Sequence, residues 1–371
     1  PDGEVALRVS AIATGTAALF GEVGAWDYVA AMRASPYESM RVWDENDSPE
    51  GATALRFDAE EFAAPQLGFI VENVLLQAAL LRRLDDAPAN LRFATPIRAV
   101  RRKARHYEIQ LENGDKLAAD LVVGADGARS FVRSAVGIET SEWPYAQTAF
   151  VTHLRPAKPH RATAWQRFLP GGPLAFLPMA EGWSSIVWTL PESEIEAVIA
   201  LERHDFHAAL AEAFDHRLGN VVDSGPREAW PLRRLHAEHY VRERVALAGD
   251  AAHAIHPLAG QGVNLGLLDA ASLAEVIQTA RGQRKDPGSL KVLRRYERWR
   301  RGDNLMMMSA MDAFNLLFSN STPALRWTRN LGLSLMDKAS PAKDTLMRHA
   351  MWLAGDLPAL ARRPVDSPSH G

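Results

Sequence analysis

The 371-residue sequence contains no cysteine. A disulfide framework, a zinc–thiolate site, an iron–sulfur cluster and a cysteine nucleophile are therefore excluded. The sequence also has no uninterrupted apolar run of about 18 residues, the length that predicts a membrane-spanning helix. Neither sign of charge is in excess, because 42 basic residues stand against 45 acidic residues. A nucleic-acid-binding protein would show a strong basic excess, so that class is disfavoured.

What the chain does contain is the composition of a globular protein. Apolar residues make up 47% of it and charged residues 23%, which is enough for a real core. Between residues 145 and 190, strand-like runs separated by proline and glycine predict an antiparallel sheet. The apolar spacing over residues 8–29 predicts a helix. After about residue 263 the pattern is mostly helical.

Residues 245–271 combine a short apolar strand, a loop of small residues and the start of a helix. Asp250 directly follows the strand, where a carboxylate can accept hydrogen bonds from the hydroxyl groups of a sugar-like ligand. Gly260 and Gly262 lack a Cβ, so the backbone there can approach a flat ligand closely. The free amides at the start of the helix would stabilise negative charge on that ligand.

This run resembles the flavin-binding motif of the class A flavoprotein hydroxylases, the para-hydroxybenzoate hydroxylase superfamily. Within it, residues 256–266 are similar to the ubiquinone-biosynthesis hydroxylases, which act on polyprenyl phenols and quinols. The resemblance implies that Gly249 and Asp250 bind the ribityl chain of FAD and that the following loop lines the isoalloxazine ring. It assigns to that loop and to the helix start His256, Pro257, Gly260, Gln261, Gly262, Val263 and Asn264.

Residues 120–133 carry a second match, to the Asp-Gly motif of the same superfamily. Gly124 and Gly127 permit a tight turn after an apolar strand, and a helix expected near Ala128 would offer its N-terminus to a phosphate. The resemblance implies that Asp126 and Gly127 lie near FAD and contribute to the use of NAD(P)H as electron donor.

Two further positions match the superfamily nearer the start of the chain. An arginine at the position of Arg8 reaches the pyrophosphate or adenosine of FAD in the superfamily, although a solvated arginine at a helix start is the alternative. Asn73 lies near the flavin by the same resemblance. It is also a candidate N-cap for an amphipathic helix over residues 73–84.

The superfamily's dinucleotide-binding fingerprint, GxGxxG between a strand and a helix, is absent from the 371 residues. That unit takes about 30 residues and should precede Arg8, whereas the chain begins at Pro1. We therefore expect an N-terminally truncated form, without the first βαβ unit, that binds FAD weakly or not at all.

The expected fold class is α/β, with a Rossmann-like FAD-binding domain, an inserted antiparallel-sheet substrate domain and a helical C-terminal region. The expected boundaries are 1–143 and 241–285 for the two parts of the FAD-binding domain, 144–240 for the sheet domain, 286–361 for the helical region and 362–371 for a tail.

The expected function is FAD-dependent hydroxylation of an aromatic ring, with NAD(P)H and O2, on a polyprenyl phenol or quinol of ubiquinone biosynthesis. The cofactor supplies that chemistry, so we assign no acid–base residue. His253 and His256 alone are too few to predict a metal site. We expect a homo-oligomer in the cytoplasm, with peripheral contact to the inner membrane or to a biosynthetic complex.

Three other functions remain open on the residues alone. They are a hydroxylase of a soluble phenol, a flavin-dependent reductase of prenyl chains, and a non-catalytic subunit that binds lipid or partner proteins.

Three groups of residues also have two possible roles each. The arginines of residues 294–301 form either a solvated face or a contact with anionic lipid. The methionine-rich residues 305–318 are either core or a surface for a polyprenyl tail. Three tryptophans of the sheet either line the substrate pocket or form the core: Trp165, Trp183 and Trp188.

Overall fold

The computed structural model describes residues 5–51, 54–255, 262–319, 351 and 355–362. The helices are α1 (Thr14–Glu22), α2 (Trp26–Met32), α3 (Asn73–Asp85), α4 (Phe131–Ala135), α5 (Ile195–Ala200), α6 (Arg203–Ala213), α7 (Gly262–Gly282) and α8 (Leu290–Ser319). The strands are β1 (Val9–Ala13), β2 (Ser35–Tyr37), β3 (Ser39–Asp44), β4 (Leu55–Asp58), β5 (Gly68–Glu72), β6 (Ile97–Arg102), β7 (Tyr107–Leu111), β8 (Lys116–Ala119), β9 (Val122–Gly124), β10 (Thr140–Pro156), β11 (Thr163–Leu169), β12 (Gly172–Pro178), β13 (Ser184–Pro191), β14 (Val221–Ala237), β15 (Val241–Arg242), β16 (Val245–Leu247) and β17 (His253–Ala254).

The largest layer is an eight-stranded sheet in the order β17-β14-β10-β13-β12-β11-β3-β4. Neighbouring strands are antiparallel except β3 and β11, which are parallel. One face buries Phe150, Leu174 and Trp188 against Phe206 of α6. The predicted antiparallel sheet is thus confirmed. Strands β3 and β4 of this sheet come from residues 1–143, which were expected to belong to the FAD-binding domain. The proposed domain boundaries stay a prediction.

A second, three-stranded sheet has the order β15-β16-β9. Strands β9 and β16 run parallel, with Val122 opposite Val245 and Gly124 opposite Leu247. Parallel strands have their carboxyl ends at the same edge of the sheet, so the loops that follow Gly124 and Leu247 emerge side by side. Both sequence motifs lie on these loops, as an α/β fold requires. The predicted fold class is confirmed.

The helix predicted over residues 8–29 is wrong in its first part. Strand β1 pairs antiparallel with β5, and helix begins only at Thr14. Ala11, Ile12 and Ala13 are buried in succession, because both faces of β1 are covered. An apolar run without alternation is shared by buried strands and buried helices, so periodicity could not separate them.

The helical C-terminal region is confirmed where the structure describes it. Helix α8 packs along α7 and reaches β11 and β12 of the large sheet. Its methionines divide between core and surface, since Met308 is 1% exposed and Met306 is 57% exposed. Among the described residues, no helix combines the length and the apolar character needed to cross a bilayer.

Candidate functional site

Two glycines shape the loop that follows β16. Gly249 has a φ of +61°, in the left-handed region that favours glycine. A Cβ on Gly266 of α7 would lie 3.1 Å from the Cα of Gly249, closer than ordinary van der Waals contact. The loop can therefore press directly against the first turns of α7, and this contact leaves Asp250 at the edge of the sheet.

Asp250 presents an unused carboxylate at this edge. The residue is exposed, and among the described residues no protein group donates a hydrogen bond to its side chain. Partial desolvation raises the pKa of its carboxyl group, while the positive charges of His253 and Arg8 lower it. An acceptor left free beside an arginine suits a ligand that carries both hydroxyl groups and phosphate.

Arg8 and Asn73 lie side by side where two paired strands end, Arg8 directly before β1 and Asn73 directly after β5, and the Asn73 amide donates to the Arg8 carbonyl at 2.9 Å. The prediction that Asn73 is the N-cap of α3 is wrong. It is the first helical residue, with Glu72 at the N-cap position, and its Oδ1 accepts the Ser10 hydroxyl at 2.7 Å. A cap prediction rests on residue type alone, and here the side chain has a partner 63 residues away in sequence.

The guanidinium of Arg8 lies 5.2 Å from the ring centroid of Trp230, within the range of a cation–π contact. Sequence reasoning missed Trp230, although the two-residue alternation of β14 could have placed it once the strand pairing was known. Trp230 pairs with Ala149 and Trp188 pairs with Phe150. Successive residues of β10 face opposite sides, so Trp230 lies on the face opposite the Trp188 core.

Of the other candidate tryptophans, Trp165 packs against the same core as Trp188. Trp183 is half-buried at the turn before β13. The pocket role considered for Trp165 and Trp188 is therefore not supported, since both lie on the face covered by α6.

Asp126 stabilises the start of α4. Its Oδ2 accepts the Val132 amide at 3.0 Å, and its Oδ1 accepts the Ser130 hydroxyl. The helix expected to start near Ala128 is present as α4, but it begins three residues later, at Phe131, and has only five residues. Gly127 does adopt a left-handed φ of +78°. The roles of Asp126 and Gly127 toward FAD and NAD(P)H stay predictions.

Arg133, the last residue of the second motif, connects the two motif loops. It is 6% exposed and donates to the carbonyls of Ala251 at 2.8 Å and Ala128 at 2.7 Å. Its charge is used to connect the two motif loops and does not face a ligand. No local sequence pattern indicates this connection, because the two carbonyls belong to segments far apart in the chain.

Asn264, which the resemblance assigns to the helix start whose backbone lines the flavin ring, has a fully buried side chain. Its Oδ1 accepts the Ala13 amide at 3.0 Å and its Nδ2 donates to the Ala11 carbonyl at 2.8 Å. The side chain therefore bonds to β1 as a neighbouring strand would, and fixes the start of α7. The ring-loop residues His256, Pro257, Gly260 and Gln261 lie outside the described residues. The ligand roles of Gly262, Val263 and the Asn264 backbone stay predictions.

A family model described as FAD binding domain matches residues 3–303. The chain belongs to this FAD-binding-domain family. It is 40% identical over 354 residues to 3-demethoxyubiquinol 3-hydroxylase of Escherichia coli K12, covering 95% of this chain and 89% of that protein. It is 40% identical to ubiquinone hydroxylase UbiL of Rhodospirillum rubrum, covering 93% and 79%.

Among solved structures, p-nitrophenol 4-monooxygenase PnpA of Pseudomonas putida DLL-E4 has the same fold as this protein. The TM-score is 0.76 at 21% identity, covering 95% of this chain and 90% of that chain. Family membership confirms FAD as the cofactor and flavoprotein monooxygenase as the enzyme class. The free carboxylate of Asp250 and the glycine contact beside it fit this cofactor. Weak FAD binding by these 371 residues stays a prediction.

We predict that Asp250→Asn raises the Kd for FAD about tenfold, because a neutral amide replaces a charge-assisted acceptor. Fluorescence titration with FAD over a wide concentration range measures this. Asp120→Asn is the matched control, since Asp120 is also exposed and lies just before β9, at the opposite end of its pairing with β16. Equal affinities of the two variants would contradict the assignment.

A second prediction concerns His236, which is 7% exposed and hydrogen-bonded to the Tyr240 hydroxyl at 3.3 Å. Burial, followed by the charges of Arg301, His253 and Arg234, lowers the pKa of His236 to about 4. The unfolded chain takes up this proton near pH 6.5, so the free energy of unfolding should fall between pH 6.5 and 4, by at most about 3 kcal/mol from this group.

Denaturant unfolding at several pH values measures this dependence. His236→Asn should flatten it over the same interval, whatever its effect at neutral pH. An unchanged slope in the variant would show that other groups cause the loss of stability.

Proposed function

We propose that the protein is an FAD-dependent hydroxylase that uses NAD(P)H and O2 on the aromatic ring of a polyprenyl phenol or quinol in ubiquinone biosynthesis. The observation that carries this proposal is the 40% sequence identity to 3-demethoxyubiquinol 3-hydroxylase, which extends over 95% of this chain and 89% of that protein. The name of that relative specifies a quinol as substrate.

The methionines of α8 support an apolar, adaptable substrate region. Met307 packs in one cluster with Ile255, the residue directly before the predicted ring loop. Met311 packs against the cluster that contains Phe168 of β11. Unbranched methionine side chains adjust to irregular apolar partners. These methionines connect the surroundings of Ile255 with the large sheet, and we infer that a ring with a prenyl tail enters there.

In this proposal the side chains of the protein bind FAD and keep the reacting ring away from water. Asp250 holds a hydroxyl-rich stem, and Arg8 attracts the phosphates. The methionines and Ile255 keep water from the reacting ring. FAD, reduced by NAD(P)H, supplies the redox chemistry when bound. An electron-rich phenol requires little help in losing its proton, so no acid–base side chain is invoked.

The activity is tested with excess FAD, NAD(P)H, air and a short-chain prenyl phenol or quinol. We expect NAD(P)H-dependent O2 uptake and a product heavier by one oxygen atom, identified by mass spectrometry. Asp250→Asn is the control for dependence on the flavin site. Oxidation of NAD(P)H without a hydroxylated product, together with hydroxylation of an unprenylated phenol, would contradict the proposed substrate class.

We also propose that the protein acts at a membrane surface, where a polyprenyl substrate dissolves; assembly into a homo-oligomer or a biosynthetic complex would be compatible with this. Three arginines of α8 are exposed, and Arg298 follows Arg294 by four residues and Arg295 by three. Arg300 does not belong to this solvated group, because its side chain is fully buried. Spacing of three or four residues brings side chains to one face of a helix.

We predict that the protein sediments with vesicles containing anionic lipid and that binding weakens with salt. Replacing Arg294, Arg295 and Arg298 by glutamine should lower the bound fraction several-fold. A matched triple replacement of three exposed arginines of another segment is the control: Arg101, Arg102 and Arg105. Equal losses in both variants, or binding to neutral vesicles alone, would contradict this surface.

A further inference from the structure

A group of buried polar side chains lies beneath the loop that carries Asp250. Asp269 of α7 and Arg300 and Asn304 of α8 are completely buried, and His253 is 2% exposed. Buried charges cost several kcal/mol each unless they are paired. A cluster of this kind directly under a cofactor loop therefore requires an explanation.

The carboxylate of Asp269 joins this group to the loop. Its Oδ2 accepts the Gly249 amide at 3.0 Å and Nε2 of His253 at 2.6 Å. Its Oδ1 accepts Nε of Arg300 at 2.9 Å and Nδ2 of Asn304 at 3.1 Å. Four donors thus converge on one carboxylate, which matches its capacity as an acceptor. One of the four is the backbone of the residue that precedes Asp250.

The carboxylate is held in its ionised form. Burial alone would raise the pKa of Asp269, but the charges and hydrogen bonds of His253 and Arg300 lower it below the usual value. Arg300 is oriented in turn by Asn304, to whose Oδ1 it donates at 2.9 Å, and by Asp303 at 3.3 Å. The Gly249 amide therefore meets a fixed negative charge.

We propose that Asp269 is a positioning residue for the FAD site, whose ionised carboxylate fixes the Gly249 backbone and through it the direction of Asp250. The inference rests on the assignment of Asp250 to FAD. Asp250 has no protein donor of its own among the described residues, so its placement depends on the backbone before it. Because Arg300 and Asn304 belong to α8, Asp269 also connects the flavin loop to the methionine-bearing helix.

The test replaces Asp269 by asparagine, which keeps the size of the side chain but removes the charge. We expect the Kd for FAD to rise about tenfold, a loss of about 1.4 kcal/mol and typical of one hydrogen bond to a charged group. We also expect faster hydrogen exchange at the amides of residues 249–252 in the flavin-free protein. This second measurement does not depend on FAD binding.

Asp303→Asn is the matched control, because it removes a carboxylate partner from the same arginine without touching the Gly249 amide. We expect its FAD affinity to stay within about twofold of the parent and its loop exchange to be unchanged. If Asp269→Asn lowers Tm yet matches Asp303→Asn in both affinity and loop exchange, the role is structural only and the proposal is overturned.

Two further variants keep the outcomes distinguishable. If Asp269→Asn does not fold, His253→Gln removes one donor of the cluster and is judged by the same two measurements. The double variant Asp250→Asn/Asp269→Asn should bind FAD no more weakly than Asp250→Asn alone, because Asp269 acts through Asp250. If Asp250→Asn leaves affinity unchanged, the FAD assignment of Asp250 fails, while loop exchange still decides whether Asp269 positions the loop.

Discussion

The parallel pairing of β9 with β16 is the constraint on which the candidate site depends. Only three residues of each strand take part in this pairing. It nevertheless brings together two motif loops between which, in the sequence, most strands of the large sheet lie. Parallel strands need a long connection, and here that connection contains strands β10 to β14. Without this pairing, Asp126 and Asp250 would belong to unrelated parts of the surface.

So short a sheet does not fix its loops by backbone pairing alone, and buried polar side chains complete the arrangement. Arg133 connects the two motif loops through their carbonyls. Asn264 joins the start of α7 to β1, and Asp269 joins α7 and α8 to the Gly249 backbone. Each satisfies groups that would be costly to bury unpaired. The exposed carboxylate of Asp250 is left available for a ligand.

The sequence predicted what local chemistry and a motif can specify, namely the fold class, the antiparallel sheet, the cofactor and the placement of Asp250 at a strand's carboxyl end. It failed where long-range pairing decides. Strand β1 was predicted as helix because its partner β5 lies some sixty residues away. The side-chain partners of Asn264 and Arg133 were not predicted, because they include Ala11 and Ala251, which lie far away in the sequence. Asp269 has no motif of its own, so only the fold could reveal its four donors.

The central claim is that FAD binds at the carboxyl edge shared by β9 and β16. Hydrogen exchange with and without saturating FAD measures this most directly. The account predicts slower exchange in residues 8–13, 122–128 and 245–255, and no change in the hairpin sheet of residues 97–119. Protection confined to that hairpin sheet, or to the Trp188 face of the large sheet, would contradict it.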